Sequence, residues 1–309
     1  MIQKASEQNY ENEKLCMILY GLPGVGKTTL AASAPKPIVI DCDRGMKRVN
    51  PEYRCDISNV SSYKDLLEDT KSLGSDYETI ILDTGGSLIE LMKEWAMDTE
   101  PTATKKNGGF SLPGYGFVKS EFLRLSAELR KKYNTIFIFH ASKEKQEEEF
   151  FYDLIVEGAA KTLVWQPADL GAYFFIQNGK RYLGFTPTSN YSAKSAYGIS
   201  GLMEVPELSG GEPNVFLAKL FEKVRANIKS ESEALAPKRS EYDEAMDEGR
   251  MLVEAITCAA DIPMCLDAVS HLKHALTSEK EIKALVKDKM KELGITYNKE
   301  TKTYEDKAE

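Results

Sequence analysis

The sequence contains no long hydrophobic run. None of its apolar stretches approaches the roughly 18 residues that a membrane-spanning helix needs. Its opening residues, MIQKASEQNYENEK, also lack the apolar segment of a secretory signal peptide. We therefore expect a protein that has no membrane segment and resides in the cytoplasm.

The sequence also lacks the patterns of a metal site or a disulfide framework. Its five cysteines include no C-x-x-C pair, so we expect reduced thiols in the core. His271 and His274 lie three positions apart in a predicted helix, but a structural zinc ion takes more ligands than two. We interpret both histidines as residues of a solvated helix face.

An excess of positive charge is missing too. The net charge is −8 at pH 7, which argues against a protein whose whole surface is basic. A local basic groove is compatible with this charge, so binding to nucleic acid is neither indicated nor excluded. The 309 residues, 42% of them hydrophobic, are enough for one large domain or two.

What the sequence does contain is a phosphate-binding motif near its start. The apolar run Leu15–Tyr20 leads into GLPGVGKT, which matches G-x-x-x-x-G-K-[ST] in every specified position. Its glycines let consecutive backbone N–H groups turn around a phosphate, and the helix that follows directs its positive end to the same anion. The expected nucleotide-binding residues are Gly21, Leu22, Pro23, Gly24, Val25, Gly26, Lys27, Thr28 and Thr29.

Within this motif we expect Lys27 to reach the β- and γ-phosphates and the Thr28 hydroxyl to hold Mg²⁺. A second Mg²⁺ ligand is predicted at the end of the buried strand Thr79–Leu82, where Asp83 follows. Another apolar, β-branched run, at residues 38–43, ends in Asp41-Cys42-Asp43. Such continuous apolar runs are typical of buried parallel strands and predict an α/β fold.

Two segments between the predicted helices and strands have the composition of loops. Residues 98–116 contain proline, glycine and polar residues without periodicity, and residues 142–158 are highly charged. The first segment carries two lysines and two aromatic residues: Lys105, Lys106, Phe110 and Tyr115. Lysines interleaved with aromatic rings suit single-stranded nucleic acid, although a plain mobile loop explains the same composition.

The last third of the chain differs in composition. The Asn178-Gly179 pair predicts a hairpin, and a polar stretch, KSESEALAPKRSEY at residues 229–242, predicts a linker. Three helical patterns and a tail that we expect to be loose follow it. The sequence thus predicts a core domain at 1–228, a linker at 229–242 and a helical module at 243–309, which we interpret as a site for a protein partner or for self-association.

The order of these parts resembles the RecA core over about residues 12–226. More narrowly, it resembles phage-encoded RecA-like P-loop ATPases reduced to that core, which are linked to single-strand annealing and homologous recombination. The resemblance implies a mainly parallel sheet flanked by helices, ATP and Mg²⁺ as cofactors, and slow ATP hydrolysis modulated by DNA. It also implies a homo-oligomer, single-stranded DNA as partner, and the cytoplasm of a bacterial host.

The resemblance also implies roles for individual residues. Asp43 falls where the family places a catalytic glutamate that polarises water, with Asp41 as the lesser candidate. His140, at the end of the strand Thr135–Phe139, matches the residue that senses the γ-phosphate. The alternatives are that Asp43 only caps the turn before Gly45 and that His140 only bonds to a neighbour.

A cation donated by a neighbouring subunit is a further implication. Lys194 matches the family's basic segment best, with Arg181 and Lys161 as other candidates. A surface lysine without such a role explains the same residue.

Four functions follow from these features. The leading hypothesis is an ATPase that binds single-stranded DNA and promotes annealing or recombination. A helicase loader or protein remodeller predicts stimulation by a protein rather than by DNA. A non-enzymatic nucleotide-binding adaptor predicts tight binding without turnover that depends on Lys27. A metabolic kinase is disfavoured because no acceptor pocket or second lid is evident.

Overall fold

The computed structural model of the chain describes residues 10, 13–146, 149–156, 163–208 and 210–306. Within these residues the chain forms two compact units, with the division falling between Asn227 and Ile228. The first unit contains a large sheet and its helices, and the second contains helices and a short hairpin.

The bounds of the strands of the first unit are β1 Cys16–Gly21, β2 Pro37–Asp41, β3 Asp56–Asn59, β4 Thr79–Asp83, β5 Asn134–Gln146, β6 Glu149–Leu154, β7 Leu170–Gln177, β8 Lys180–Gly184 and β9 Leu202–Val205. These strands differ in burial, since β1 and β4 are buried throughout and β3 is mostly exposed. The helices of this unit are α1 Lys27–Ala31, α2 Tyr63–Ser72, α3 Gly85–Thr99, α4 Leu112–Arg130 and the start of α5 Phe216–Glu254.

The strands of the first unit form one mixed, mainly parallel sheet. Its order is β3-β2-β4-β5-β1-β7-β8-β9, with β6 paired to β5. Strands β3 to β7 along this order run parallel, whereas β7, β8 and β9 pair antiparallel. One strand, β5, therefore separates the phosphate-loop strand β1 from the strand β4 that ends in Asp83. This confirms the expected α/β fold, in which a mainly parallel sheet is flanked by helices.

Helices α2, α3 and α4 cover one face of the sheet. Alternate residues of β1, β4 and β5 lie against them, including Ile18, Leu82 and Phe139. Continuous burial along β1 and β4 explains why these strands read as unbroken apolar runs rather than as alternating ones. The predicted hairpin of residues 172–185 is also confirmed, since β7 and β8 pair antiparallel around Asn178-Gly179.

Residues 142–158 do not form the irregular loop that their charge predicts. Strand β5 continues to Gln146 and pairs antiparallel with β6, with Ala141 opposite Leu154. Leu154 is buried, and the backbone N–H of Tyr152 donates to the Asn190 carbonyl at 2.7 Å. The hairpin is held at its base by these contacts, so charged side chains are tolerated along its exposed part. Residues 147, 148 and 157–158 of the predicted loop lie outside the described residues.

Residues 98–116 are also more regular than predicted. Helix α3 continues to Thr99 and α4 begins at Leu112. Between them, Lys105 and Gly109 form a tight turn in which the Lys105 N–H donates to the Gly109 carbonyl at 2.7 Å. Ser111 caps α4 by accepting a hydrogen bond from the Gly114 N–H at 3.0 Å. Short-range hydrogen bonds thus replace the expected mobile loop.

The second unit contains the rest of α5 together with α6 Asp261–Ser270 and α7 Ser278–Leu293. The tail expected to be loose instead forms a hairpin of β10 Thr296–Asn298 and β11 Thr303–Glu305. Ile295 is buried in the core of this unit, and the Ala259 N–H donates to Asp306 at 2.9 Å, which explains the order. Residues 229–242, which the sequence predicts as a linker, are helical and belong to α5. The division of the chain into core, linker and module remains a prediction.

Gly85 and Gly86 provide a test of the packing of α3 on the sheet. A Cβ at Gly85 would overlap the Phe139 ring, whereas the nearest atom to a Cβ at Gly86 is Thr84 Oγ1 at 3.8 Å. We expect Gly85→Ala to lower the free energy of unfolding by about 1–3 kcal/mol. Gly86→Ala should leave it unchanged or raise it by up to about 1 kcal/mol.

Urea unfolding followed by tryptophan fluorescence measures this difference, because both tryptophans, Trp95 and Trp165, belong to the first unit. Equal stability of the two variants would contradict the packing described.

Candidate functional site

The phosphate-binding motif forms the connection between β1 and α1. Gly24 and Gly26 have φ angles of 80° and 99°, a region that residues with a Cβ rarely adopt. Gly21 is required for a different reason, because a Cβ there would overlap the Phe174 carbonyl oxygen of β7. Helix α1 begins directly at Lys27, with Gly26 as its N-cap. The backbone therefore has the conformation that the motif predicts.

Lys27 is buried at the centre of this loop. Its Nζ donates to the carbonyl oxygens of Gly21 and Leu22, both at 3.0 Å, and lies 3.5 Å from His140 Nδ1. Burial lowers the pKa of Lys27 to about 8, although the carboxylates of Asp83 and Asp43 oppose this shift. The ammonium group is held by two neutral carbonyls, which an anionic ligand can replace.

Thr28 and Asp83 are brought together across the sheet edge. The Thr28 hydroxyl donates to Asp83 Oδ2 at 2.6 Å, and Asp83 is only 4% exposed. Burial raises the pKa of Asp83 to about 6, while the hydrogen bond from Thr28 limits the rise. A buried carboxylate beside a hydroxyl provides the hard oxygen ligands that Mg²⁺ prefers. The pair therefore fits the predicted metal site.

The structure separates the roles of Asp41 and Asp43. Asp41 is buried, and its carboxylate accepts hydrogen bonds from the backbone N–H groups of Gly45 and Met46, at 2.8 and 2.9 Å. Asp43 instead lies at the surface, 3.3 Å from Arg48 Nη2. The turn-capping role proposed as the alternative for Asp43 is thus performed by Asp41. Asp43 does not hold this turn, and its charge acts on Lys27, Asp83 and His140 of the site.

His140 lies beside the phosphate loop because β5 pairs with β1, with Gly21 opposite His140. The pKa of His140 is lowered, mainly by its half-buried position and secondly by the positive charge of Lys27. The ring is therefore neutral at pH 7, with one nitrogen as donor and the other as acceptor. The charge of Asp43 acts on the pKa values of His140, Lys27 and Asp83 alike, so these four side chains form one electrostatic cluster.

A cavity of about 470 Å³ adjoins the first turn of α1. The residues that line it include Gly26, Thr29, Tyr53, Phe174, Arg181 and Asn214. Asn214 Nδ2 donates to the Thr29 carbonyl at 2.6 Å, which ties the segment before α5 to the phosphate loop. Aromatic and amide groups beside a phosphate loop suit the sugar and base of a nucleotide.

Two of the candidate cations, Arg181 and Lys194, lie in different parts of the structure. Arg181 lies at the phosphate loop, where its Nε donates to the Val25 carbonyl at 3.2 Å. Lys194 lies elsewhere, with its Nζ donating to the Trp165 carbonyl at 3.3 Å and its backbone paired to Gly171. Lys161 lies outside the described residues. A trans-acting role for Lys194 stays a prediction.

The four residues predicted to contact DNA lie at or near the Lys105–Gly109 turn. Lys105 and Lys106 are exposed at its tip. Phe110 packs edge-on against Tyr115, with ring centroids 4.9 Å apart, and Lys93 lies 5.4 Å from the Tyr115 ring centre. Phe110 is partly buried, whereas Lys105, Lys106 and Tyr115 are exposed to solvent.

Several residues of the site carry no signal in the sequence. Arg48 and Tyr53 come from the connection between β2 and β3, and Asn214 precedes α5. None of them belongs to a motif, and only the packing of these connections around α1 brings them to the phosphate loop.

Within the described part of the chain, no group of three or more His, Cys, Asp and Glu side chains is arranged to hold a metal ion. In that same part, no helix is both long and apolar enough to cross a bilayer.

Comparisons with known proteins agree with this geometry. A family model described as an AAA domain, AAA_24, matches residues 13–197, more than half of the chain. A comparison with curated protein sequences finds no match.

Similar solved structures include the RadB recombinase, with 14% identity, a TM-score of 0.39, and coverage of 62% of this chain and 86% of that one. They also include the flagellar accessory protein FlaH from Methanocaldococcus jannaschii, with 12% identity, a TM-score of 0.33, and coverage of 63% and 91%. An ATPase from the type III secretion system of pathogenic bacteria has 12% identity, a TM-score of 0.37, and coverage of 89% and 81%. At these identities and TM-scores, the similarity to the three structures indicates no function for this chain.

The different roles of Asp41 and Asp43 can be tested by stability alone. Asp41→Ala should lower the free energy of unfolding by about 2–3 kcal/mol, because it leaves two buried N–H groups without acceptors. Asp43→Ala should change it by no more than about 0.5 kcal/mol, as is usual for surface substitutions. Urea unfolding of the two variants provides the comparison. A large loss of stability in Asp43→Ala would show that the structural role belongs to Asp43 and not to Asp41.

Proposed function

The chain belongs to the AAA_24 family of AAA domains, and we propose that it hydrolyses ATP with Mg²⁺ and couples hydrolysis to single-stranded DNA. The observation that carries the proposal is the convergence of Lys27, Thr28, Asp83 and Asp43 at one edge of the sheet. The proposed setting is annealing and recombination of phage DNA in the cytoplasm of a bacterial host.

Thr28 and Asp83 would hold Mg²⁺, which when bound neutralises charge on the phosphates. Lys27 would exchange its two carbonyl partners, Gly21 and Leu22, for phosphate oxygens. That exchange strengthens the interaction, because hydrogen bonds between charged groups are stronger than those to neutral carbonyls. The loop would thus bind the triphosphate without a large rearrangement of its backbone.

Asp43 would orient and polarise the attacking water. Its side chain is one methylene shorter than a glutamate, and Arg48 lies within 3.3 Å of it. The cation competes with water for the carboxylate, so turnover is expected to be slow. His140, neutral and 3.5 Å from Lys27, would respond to the charge that arrives on the phosphate side of Lys27.

Single-stranded DNA is proposed to bind at the Lys105–Gly109 turn. Lys105 and Lys106 project from an ordered backbone, so they can contact phosphates without first ordering a loop. The β5–β6 hairpin offers less, because Lys143 and Lys145 alternate with Glu144 and face Tyr152 and Phe150, with Glu149 next to Phe150 on the opposite strand. We assign the DNA contact to the turn and not to the hairpin.

The protein is further proposed to act as a homo-oligomer, in which Lys194 of a neighbouring subunit approaches the nucleotide. The second unit is proposed to dock a protein partner. It has its own apolar core around Ile262 and Ile282, and it leaves Met251 and Met264 mostly exposed, at 63% and 69%. Flexible methionine side chains are common at surfaces that bind partners.

ATP hydrolysis with and without single-stranded DNA tests the proposal. Lys27→Ala should abolish turnover, and Asp43→Ala should lower kcat by about 10²–10⁴-fold while nucleotide affinity is kept. Wild-type turnover should rise when DNA is added. Lysine-dependent turnover that ignores DNA but rises with a protein partner would support a helicase loader or remodeller instead. Tight ATP binding without lysine-dependent turnover would support an adaptor.

The DNA contact can be tested with two lysine pairs on either side of α4. The double variant Lys105→Ala/Lys106→Ala should weaken binding to single-stranded DNA roughly tenfold at low salt and reduce the salt dependence accordingly. Lys131→Ala/Lys132→Ala removes an equally exposed pair at the opposite end of the helix. Fluorescence anisotropy with a labelled oligonucleotide compares them. Equal losses in both double variants would show a general charge effect rather than a site.

A further inference from the structure

We propose that Arg181 binds the nucleotide from within the same chain, at the Val25–Gly26 end of the phosphate loop, whereas the Lys27 ammonium group contacts the Gly21–Leu22 end. This inference rests on the proposed function, because it adds a ligand to the same nucleotide site. The candidate ligand is the α- or β-phosphate of a nucleoside di- or triphosphate. The geometry points to Arg181 through its bond to the loop, its place in the cavity and its unused donors.

Arg181 is fixed to the phosphate loop by its own strand. It lies on β8, between Ile176 of β7 and Val205 of β9. Its Nε donates to the Val25 carbonyl at 3.2 Å and lies 3.8 Å from the position that a Cβ at Gly26 would take. The guanidinium group therefore adjoins the residue that precedes Lys27, and the central sheet positions it there.

Lys27 and Arg181 approach the loop from different directions. The Lys27 ammonium group contacts Gly21, Leu22 and His140, near the carboxylates where the γ-phosphate reacts. Arg181 lines the cavity beside the first turn of α1, together with Thr29 and Phe174. A nucleotide whose base occupies this cavity would extend its phosphates from Arg181 towards Lys27. Arg181 then contacts the phosphates nearest the sugar.

The guanidinium group has donors to spare for such a ligand. It carries five N–H groups, of which the Nε–H is used by Val25. Nη1 lies 3.9 Å from Glu207 Oε1, and the Glu207 side chain is 81% exposed. An ion pair with so exposed a carboxylate is weak, whereas a phosphate offers paired charged hydrogen bonds to arginine. The nucleotide is therefore expected to displace Glu207 from Arg181.

Binding of Mg²⁺–ADP and Mg²⁺–ATP, measured by calorimetry, tests this assignment. Arg181→Ala should weaken both nucleotides about 10- to 100-fold, and by the same factor, because the contact lies away from the γ-phosphate. Lys180→Ala is the matched control, since Lys180 is the adjacent residue on β8 and pairs with Glu204 at the surface. It should change both affinities by less than about twofold.

Glu207→Gln provides a variant with the opposite expected sign. It removes the competing carboxylate and should tighten both nucleotides about two- to fivefold. A general loss of folding cannot produce such a gain. If Arg181→Ala does not fold, the result with Glu207→Gln, together with Arg181→Gln, decides the question.

Two results would overturn the proposal. One is an unchanged affinity for both nucleotides in Arg181→Ala, and the other is a loss confined to ATP, which would place Arg181 at the γ-phosphate. Lys27→Ala separates this failure from that of the proposed function. If Lys27→Ala loses nucleotide binding while Arg181→Ala keeps it, only the role of Arg181 is wrong. If neither variant affects binding, the nucleotide site itself is wrong.

Discussion

The register of four parallel strands is the constraint on which the rest of the site depends. The parallel pairing of β1, β5, β4 and β2 ends at the same edge of the sheet, and it places Gly21 opposite His140 and Asp41 opposite Asp83. A shift of one residue in any pair would turn these side chains to the other face of the sheet. The buried apolar residues of β1 and β4 prevent such a shift. The chemistry at the edge is therefore fixed by the packing of the core.

Burial then sets the charges at that edge. Lys27 and Asp83 both lose hydration, and their pKa values move towards each other, to about 8 and about 6. The rise of the Asp83 pKa is limited by the hydrogen bond from Thr28 and then by the charge of Lys27, and the fall of the Lys27 pKa is limited by the charges of Asp83 and Asp43. The site thus holds an ammonium and a carboxylate that are poorly solvated and paired mainly with neutral partners. A charged phosphate and a metal ion relieve both groups at once, which favours binding of the two together.

The sequence predicts the parts of the site that depend on local backbone and on strand ends. The phosphate loop is recognisable because Gly24 and Gly26 need positive φ angles, and Asp83 because it follows a buried strand. Asp41 and Asp43 were harder to separate, since only the structure shows which carboxylate faces the turn. The resemblance of the core to RecA-like proteins gave the fold and the likeness of His140 to a sensor residue.

Other features could not be predicted because they depend on contacts between distant segments. Arg181 could be identified as a candidate cation, but its bond to Val25 depends on how β8 lies beside β7. The sequence predicts a loop in place of the β5–β6 hairpin, because the side chains towards its tip are exposed and only those at its base are buried. The Lys105–Gly109 turn was misread for a similar reason, since its order comes from backbone hydrogen bonds.

The bond between Asp41 and the turn at Gly45–Met46 has a consequence for how this protein can evolve. Two acidic positions that are separated by one residue differ in their contacts, since Asp41 holds the turn and Asp43, which is proposed to orient water, lies at the surface. In the proposed function, substitutions at position 43 would alter the rate of hydrolysis while the fold is preserved. Selection could then adjust how long the nucleotide-bound state lasts, almost independently of stability. The proposed slow ATPase would act as a timer whose period is set by one exposed side chain.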